Sequence, residues 1–454
     1  MSTPGTSPTP AAELARVQAA LDARGPGRMV PDRERIVGLL DLLGNPQRAY
    51  PAIHLTGTNG KTSTARMIDG LLRAFGLRVG RYTSPHLDSV TERIALDGEP
   101  ATAARFAAAY DEVAPLAELL DAKAAADGGE PVTYFEFTTA MAFAAFADAP
   151  VDVAVVEVGL GGEWDATNVL AAGTAVITPI GLDHVHLLGG SLAEIAAEKA
   201  GIIHPGATVV TAVQAPEAAE PLIRRAVEVG ATVAREGMEF GVVERAVAVG
   251  GQQLTLQGLG GVYGDLFLPL HGAHQAQNAA VALAAVEAFL GAGTEGTLDA
   301  DTVREGLGGV SSPGRLERVR VSPTVLVDAA HNPAGMAATV AALRESFAFG
   351  RLVAVVALLD DKDARGMLEL LEPVADAIVV TENSSPRRFD ADALGAVAVD
   401  VFGADRVEVA PRLDDAIESA VRISEEEDAP LGTVGVLVTG SVVTAADARR
   451  LLRG

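Results

Sequence analysis

The sequence of 454 residues has no cysteine, few aromatic residues and fewer basic than acidic residues. Without cysteine there can be no disulfides, thiolate metal sites or cysteine nucleophiles, so any metal must be held by oxygen or nitrogen ligands. Aromatic residues make up only 4% of the chain, so core packing must rest on alanine, valine and leucine.

Positive charge is also scarce, and the net charge is −25. This balance argues against a nucleic-acid partner, which normally needs clustered lysine and arginine. It does not exclude ATP, because charges more than about 8 Å apart are screened at physiological salt. No uncharged apolar run reaches the roughly 18 residues of a membrane span, so the sequence predicts no membrane partner.

The N-terminal segment lacks both the basic and the apolar parts of a signal peptide. We therefore predict a disordered tail over residues 1–12 of a cytoplasmic protein. We also expect the protein to be a monomer. The chain exceeds the roughly 250–300 residues that one core can hold, which predicts two domains. A break in composition at Ser311–Gly314 is the predicted linker.

Short apolar runs alternate with helical stretches, which is typical of a parallel sheet covered by helices on both faces. The runs are Ile53–Thr56, Val151–Val156, Ala175–Thr178, Thr324–Val327, Leu352–Leu358, Ala377–Val380 and Val434–Val438.

The predicted fold is α/β with two domains. Residues 13–310 form an N-terminal domain with a P-loop-containing parallel sheet flanked by helices, plus a small antiparallel region at about Val233–Leu270. Residues 315–454 form a C-terminal Rossmann-like, doubly wound domain.

The sharpest motif is a glycine-rich loop, residues 57–63 (GTNGKTS), between a predicted strand and an apolar-striped helix. Glycines let the backbone approach phosphate oxygens, and the helix N-terminus directs N–H groups at them. Lys61 adds a charge, and a following hydroxyl can reach Mg²⁺. The loop is shorter than the Walker loop, because position 55 is Leu rather than Gly. The alternative is a plain strand–helix turn with a solvated lysine.

Polar side chains follow two buried strands of the same domain. Glu157 ends one strand and Asp183-His184 follows the next along the chain. If these strands are adjacent in a parallel sheet, Glu157 and His184 lie close together at its carboxyl edge, where a nucleotide's metal is usually held. An ordinary strand-end carboxylate and a structural histidine are the alternatives.

Further candidates are less specific when read from the residues alone. A capping-box pattern, Ser191 to Glu194, opens a helix that carries Lys199, which reads as a solvated lysine. Asp328, after a predicted strand, could bind ribose hydroxyls or simply build a turn. Arg315, at the presumed hinge, could reach a polyphosphate or be a surface charge.

Taken together, these segments resemble the folylpolyglutamate synthase and dihydrofolate synthase family of the Mur ligase superfamily. The resemblance covers roughly residues 30 to 445. The similar segments are 56–61 (TGTNGK), 83–87 (TSPHL), 92–94 (ERI), 134–137 (YFEF), 157–162 (EVGLGG), 165–168 (DATN), 182–184 (LDH), 198–202 (EKAGI), 277–278 (QN), 313–315 (PGR) and 328–333 (DAAHNP).

The resemblance implies an ATP- and Mg²⁺-dependent ligase that joins L-glutamate to the carboxylate of a folate, of dihydropteroate, or of both. It implies catalytic roles for Lys61, His184 and a carbamylated Lys199. The implied ATP contacts are Thr58, Asn59, Gly60, Lys61, Thr62, Ser63, Asn278, Arg315, Asp328 and His331. The implied metal ligands are Ser84, Glu157, His184 and Lys199. The implied acceptor-binding residues are Thr133, Tyr134, Phe135, Glu136, Trp164 and Asp165.

Two positions depart from the family pattern. Thr62 stands where a glycine usually follows the loop lysine, so both Thr62 and Ser63 are candidates for the hydroxyl that reaches phosphate or metal. Glu163-Trp164 stands where Arg-Leu is usual, so a positive charge near the acceptor becomes negative.

Two rival functions fit the sequence less well. A cell-wall Mur ligase would carry an extra N-terminal domain, but only about 60 residues precede the loop lysine, too few for one. A silent nucleotide-binding module would have lost a phosphate or metal residue, and each is present. Amide formation is expected to proceed through an acyl phosphate, with the C-terminal domain closing over the site to exclude water.

Overall fold

The computed structural model describes residues 9–25, 31–292, 296–425 and 433–453. Within them the chain forms two compact units. The first unit holds the described residues up to Val242, together with Leu256–Gly264 and Asn278–Leu307. The second holds Val243–Thr255, Asp265–Gln277 and the described residues from Gly308 onward. The predicted linker at Ser311–Gly314 stays a prediction.

Seventeen strands are found among the described residues. They are β1 (Ala52–Thr56), β2 (Val79–Tyr82), β3 (Ile94–Leu96), β4 (Glu99–Pro100), β5 (Val153–Glu157), β6 (Thr174–Ile177), β7 (Thr208–Thr211), β8 (Thr232–Arg235), β9 (Gly241–Ala248), β10 (Gly251–Gln257), β11 (Val262–Leu268), β12 (Glu317–Val321), β13 (Thr324–Val327), β14 (Arg351–Val356), β15 (Ala377–Val380), β16 (Val407–Val409) and β17 (Val434–Thr439).

Fifteen α-helices connect them in the same residues. They are α1 (Pro10–Arg24), α2 (Glu34–Leu42), α3 (Lys61–Ala74), α4 (Ala103–Asp127), α5 (Tyr134–Asp148), α6 (Val185–Leu188), α7 (Leu192–Lys199), α8 (Pro216–Glu228), α9 (Ala273–Leu290), α10 (Ala300–Gly308), α11 (Pro333–Ser346), α12 (Ala364–Leu371), α13 (Ala391–Phe402), α14 (Leu413–Glu425) and α15 (Val442–Arg453).

The sheet of the first unit has eight strands in the order β4-β3-β2-β5-β1-β6-β7-β8. Strands β2, β5, β1, β6, β7 and β8 are parallel, whereas β3 and β4 pair antiparallel at one edge. The central strands are fully buried, as expected for near-continuous Val, Ile and Ala runs covered on both faces. The carboxyl ends of β2, β5, β1 and β6 therefore meet at one edge.

The strand order corrects one expectation. Glu157 and His184 were predicted to follow adjacent strands, but β1 lies between β5 and β6. Leu55 of β1 pairs with Glu157 on one side and Val176 on the other. The glycine-rich loop that follows β1 consequently emerges between the two polar strand ends, rather than beside them.

The sheet of the second unit has six strands in the order β12-β13-β17-β14-β15-β16. All pairs are parallel except β12–β13. Helices α11 to α15 alternate with the parallel strands, as predicted for a doubly wound domain. Its core consists mostly of leucine, valine and alanine, with Met336, Met367 and Phe402.

The antiparallel region is a three-stranded sheet in the order β11-β10-β9. Only Val249 and Gly250 connect β9 to β10, and such a short connection joins antiparallel strands. The prediction began this region too early, because Val233 belongs to β8 of the large parallel sheet.

The predicted tail is also too long. Pro10–Ala12 form the first turn of α1, where Pro10 occupies a first-turn position and the Thr9 hydroxyl accepts from the Ala12 amide at 3.3 Å. Residues 1–8 lie outside the described part of the chain. The α/β class and the parallel sheets are confirmed. In the described residues, no helix has the length and apolarity required to cross a bilayer.

Candidate functional site

The glycine-rich loop joins β1 to α3 as predicted, and its shape depends on two glycines. Gly60 has φ +91° immediately before α3, and a Cβ there would lie 2.6 Å from the Asn278 Oδ1 atom. Gly57 has φ +147°, and a Cβ there would collide with the Thr178 side chain. Larger residues are therefore excluded at both positions, and Asn278, a predicted ATP contact, lies directly on the loop.

The Lys61 amine lies over this loop. Its Nζ atom donates to the carbonyl oxygens of Gly57 at 3.1 Å and Thr58 at 3.2 Å. The backbone N–H groups of the first turn of α3 have no partner within the helix, as at every helix N-terminus. The loop thus combines oriented N–H groups with one cationic side chain, which is the arrangement that binds phosphate.

The loop is fastened to the segment after β6. The amide of Thr58 donates to the Pro179 carbonyl at 2.9 Å, and its hydroxyl exchanges hydrogen bonds of 3.0 Å with the backbone of Gly181. Asp183 and His184 follow two and three residues later. His184 has φ +50°, a conformation uncommon for a residue with a side chain, and it is partly exposed.

The Glu157 carboxylate lies beside the start of α3. The Thr62 hydroxyl lies 3.0 Å from both Glu157 oxygens and donates to the carboxylate. Thr62 therefore contacts the predicted metal carboxylate, and Ser63, the next residue of α3, is buried. Ser84 lies two residues beyond Tyr82, which pairs with Val156, so Ser84 and Glu157 share the carboxyl edge of the sheet.

The donor set at this edge fits Mg²⁺. Within the described ranges, no three histidine or acidic side chains converge to hold a metal by themselves. Magnesium usually takes one or two carboxylates together with phosphate and water oxygens. A buried carboxylate beside a hydroxyl and a phosphate-type loop satisfies that requirement, with Glu157 as the carboxylate.

The structure corrects the interpretation of Lys199 as a solvated lysine. Lys199 ends α7, whose capping box at Ser191 and Glu194 is confirmed, but its side chain is only 3% exposed. Burial lowers the pKa of Lys199 to about 7, with a further contribution from the positive charge of Lys61. A large fraction of the Lys199 amine is therefore uncharged at neutral pH, as carbamylation requires.

Thr133 and Glu136, two predicted acceptor-binding residues, form a capping box at the start of α5. The Thr133 hydroxyl accepts from the Glu136 amide at 3.2 Å, and Glu136 Oε2 accepts from the Thr133 amide at 2.8 Å. The Arg35 Nε atom also donates to Glu136, 2.9 and 3.0 Å from its two oxygens. Glu136 is thus held rigidly by its own helix and by α2.

Phe135 and Tyr134 begin the same helix. The ring of Phe135 lies directly against Gly159, two residues after Glu157, and its centroid is 6.0 Å from that of Tyr82. The Arg93 guanidinium lies 5.1 Å from the centroid of the Tyr134 ring. Phe135 therefore connects the predicted acceptor site to the carboxyl edge of the sheet.

Asp165 organises the loop that follows β5. Its Oδ2 accepts from the Leu160 amide at 2.9 Å, and its Oδ1 accepts from the amide and hydroxyl of Thr167 at 2.9 and 2.5 Å. Burial raises the pKa of Asp165, although these hydrogen bonds oppose the rise. The neighbouring Trp164 amide donates to Glu198 at 3.3 Å.

The same network reaches His54 in β1. The Thr167 hydroxyl donates to Asp165, so it accepts from His54 Nε2, 2.8 Å away, and the proton lies on that nitrogen. His54 Nδ1 is buried without a hydrogen-bond partner among the described residues. Burial lowers the pKa of His54 to about 3, so the imidazole is neutral in the folded protein.

This histidine predicts a pH-dependent stability. Because the folded pKa lies below the unfolded value, the unfolded state binds more protons between pH 6.5 and 3, and stability falls as the pH falls through that window. We expect the free energy of unfolding to carry a His54 contribution about 2 kcal/mol smaller at pH 5 than at pH 7.5. Urea titrations at both pH values, on wild type and His54→Gln, measure it. Equal pH dependence in the two proteins would contradict the assignment.

The remaining predicted ATP contacts belong to the second unit. Asp328 follows β13, and its two oxygens accept from the amides of Leu316 and Ala330 at 2.9 Å each. Arg315 Nη1 donates to the Gly314 carbonyl at 3.1 Å, and His331 Nδ1 lies 3.0 Å from the Ala329 carbonyl. Asp328 thus shapes the turn that carries Arg315. Their roles toward ATP stay predictions.

Three residues that complete the site were not singled out from the sequence. Arg35 holds Glu136, Thr167 links Asp165 to His54, and Glu198 accepts from the amides of Gly162 and Trp164. Thr167 and Glu198 do lie inside the motifs 165–168 and 198–202. Arg35 lies next to an apolar helical stripe, and no sequence pattern distinguishes it from a solvated arginine.

Comparison with known proteins agrees with this geometry. The profile of the Mur ligase middle domain matches residues 116–286, and that of the Mur ligase glutamate ligase domain matches residues 314–442. The dihydrofolate synthase/folylpolyglutamate synthase of Mycobacterium tuberculosis is 53% identical over an alignment of 469 positions, covering 99% of this chain and 96% of the relative.

Solved structures give the same result. The M. tuberculosis folylpolyglutamate synthase complexed with ADP superposes with a TM-score of 0.94 at 53% identity, covering 98% of this chain and 99% of the other. A complex of folylpolyglutamate synthase with AMPPCP and folate gives 0.80 at 32% identity, covering 97% of this chain and 100% of the other. The chain therefore belongs to the folylpolyglutamate synthase and dihydrofolate synthase family of Mur ligases.

Proposed function

We propose that this chain is an ATP-dependent ligase that forms an amide bond between the amino group of L-glutamate and the carboxylate of a folate, by way of an acyl phosphate. The hydrogen bond from Thr62 to Glu157 is the observation that carries the proposal. It joins the first turn after the phosphate-type loop to a buried carboxylate, which supports a phosphate site and a metal site that adjoin each other.

The chemistry needs what these residues offer. A carboxylate is a poor electrophile at neutral pH, and transfer of a phosphoryl group from ATP makes it reactive. The transferring group carries dispersed negative charge, so catalysis is mainly positioning and electrostatic stabilisation. Lys61 and the N–H groups of α3 supply that stabilisation from the protein, and bound Mg²⁺ would neutralise further charge, held by Glu157 with Ser84, His184 and carbamylated Lys199.

The amine of glutamate then attacks the acyl phosphate, and the tetrahedral intermediate loses inorganic phosphate. The acceptor is proposed to lie near Phe135 and Asp165, because Phe135 packs on Gly159 immediately beyond the metal edge. Asn278 is proposed to complete the ATP site from α9, and Arg315, Asp328 and His331 stay predicted nucleotide contacts.

Two acceptors fit the proposal. Relatives such as the M. tuberculosis protein are named for both dihydrofolate synthase and folylpolyglutamate synthase activity, which supports dihydropteroate as a second acceptor. We propose a cytoplasmic monomer, because ATP and glutamate are available there and each predicted catalytic residue comes from the one chain.

Mass spectrometry of the reaction products tests the function. Purified protein is incubated with ATP, Mg²⁺, L-glutamate and either tetrahydrofolate or dihydropteroate. We expect the acceptor mass to increase by one glutamyl residue for each phosphate released. Addition to both acceptors assigns both activities, and addition to one assigns that activity alone.

A muropeptide acceptor serves as the matched negative control. Phosphate release that depends on the muropeptide would favour a cell-wall ligase. ATP binding without product from any acceptor would favour a silent nucleotide-binding module. Either result would overturn the proposal.

A further inference from the structure

Arg33 lies immediately before α2, beside the loop of residues 163–168 that carries Asp165. Its Nη1 atom donates to the carbonyl oxygen of Asn168, at one end of this loop. Its Nη2 atom lies 3.8 Å from a carboxylate oxygen of Glu163, at the other end. The guanidinium therefore spans the loop.

The loop beneath the guanidinium is rigid. The side chain of Asn168 is buried and donates to the carbonyls of Glu163 and Gly201, both at 3.1 Å. Asp165 holds the interior of the same loop through the hydrogen bonds described above. A cation fixed to the two ends of such a loop has a defined position relative to Asp165.

Stability alone does not account for Arg33. The Arg33 and Glu163 side chains are 34% and 54% exposed and too far apart for a hydrogen bond, and ion pairs of this kind contribute little. Within the described residues, the five N–H groups of the guanidinium make one hydrogen bond, to Asn168. Arg35, by contrast, is held by Glu136 and is only 17% exposed.

We propose that Arg33 is an acceptor-recognition residue, which presents its remaining N–H groups to oxygen atoms of the bound folate or pteroate. This inference rests on the proposed function, because that places the acceptor beside Asp165. Glu163 orients the guanidinium and balances its charge. A guanidinium suits the task because its planar fork can donate two parallel hydrogen bonds to a carboxylate or to a ring carbonyl and its neighbour.

The oxygen atoms could belong to the pterin ring or to a glutamyl carboxylate, and two acceptors distinguish these sources. Dihydropteroate has the ring but no glutamyl group, whereas a folate has both. Loss of affinity for both acceptors would assign the contact to the pteroyl part that both share. Loss for the folate alone would assign it to the glutamyl tail.

Direct binding and steady-state kinetics test the inference on the full-length protein. Arg33→Leu keeps the apolar stem and removes the fork, and we expect the acceptor Kd and KM to rise about 10- to 100-fold. The KM for ATP, kcat at saturating acceptor and the melting temperature should stay close to wild type. Arg33→Lys should recover only part of the affinity, since it restores charge without the fork.

Glu163→Gln and Arg224→Leu are the controls. Glu163→Gln keeps the shape and should weaken acceptor binding no more than a few-fold. Arg224 is an exposed arginine on α8 that pairs only with Glu220 among the described residues. Its replacement should change neither the acceptor Kd and KM nor the melting temperature. Unchanged acceptor affinity in Arg33→Leu would overturn the inference. An equal loss of affinity for ATP and for the acceptor, together with a lower melting temperature, would also overturn it, because that result indicates a purely structural role.

Acceptor binding is measured from ligand fluorescence without turnover, so the two proposals fail separately. Wild-type protein that binds both acceptors without ligating either would overturn the proposed function. The effect of Arg33→Leu on that binding would still decide the inference.

Discussion

Replacing Lys61 by methionine is expected to lower kcat/KM for glutamate ligation about 10³-fold. The amine lies over the phosphate-type loop, on the carbonyls of Gly57 and Thr58, where it can reach a transferring phosphoryl group. Methionine keeps a similar stem but carries no charge, so the change removes electrostatic stabilisation rather than volume. Coupled-assay kinetics with varied ATP measure the effect.

The chain offers a matched control for Lys61. Its four lysines are Lys61, Lys123, Lys199 and Lys362, and Lys123 is exposed on α4 of the same unit. Lys123→Met should leave kcat/KM within about two-fold of wild type, as expected for a surface substitution. A Lys61→Met variant that retained more than a tenth of wild-type activity would contradict the role of this lysine.

The parts of this molecule that sequence predicts best are those with local causes. Val-, Ile- and Ala-rich runs specify buried strands, and the glycines of the loop specify the turn between β1 and α3. Both are visible within a dozen residues, and both are confirmed. The boundaries differ by one or two residues because strand ends are set by pairing. Val151 and Asp152 precede β5, although Val151 reads as part of it.

Strand order is not local, and it was the main error at the site. Sequence adjacency suggested that Glu157 and His184 follow neighbouring strands, but β1 is inserted between β5 and β6. The insertion places the phosphate loop between the two polar strand ends. Nothing in the composition of the three strands distinguishes the two orders, because all three are short, mostly apolar and buried.

Buried charges were missed for a related reason. Lys199 reads as a solvated residue, yet it is nearly inaccessible. Arg81, for which the sequence analysis makes no prediction, is equally buried and pairs with the buried Asp69. A helix or strand with one charged residue among apolar neighbours has the same sequence pattern whether that residue faces solvent or an oppositely charged partner. Burial of a charge depends on a partner distant in sequence, which only the fold brings near.

Lys199 carries the second large expected effect. Lys199→Ala should lower kcat at least about 10²-fold, because it removes the carboxylate that a carbamylated lysine would add beside the metal. Carbamylation joins the neutral amine to CO₂ with loss of one proton. With its pKa lowered to about 7, the amine is about half neutral at pH 7, compared with roughly 0.03% for a lysine of ordinary pKa near 10.5.

Carbon-13 NMR with labelled bicarbonate should therefore detect one carbamate carbon per chain in wild type and none in Lys199→Ala. At constant dissolved CO₂ the signal should grow as the pH rises from 6 to 8, since the neutral amine increases over that range. Short carboxylic acids such as acetate, which fit the space left by the truncated side chain, should restore part of the activity of Lys199→Ala.

Lys199→Met separates the carbamate from simple packing, because it fills the same buried space without an amine. It should be as inactive as Lys199→Ala, but acetate should rescue it poorly, since the methionine side chain occupies the site. Wild-type activity in Lys199→Met would show that the residue acts through its volume. If the carbamate resonance were absent from active wild-type protein, the residue would act through its free amine, which lies close to Lys61 and Asp165.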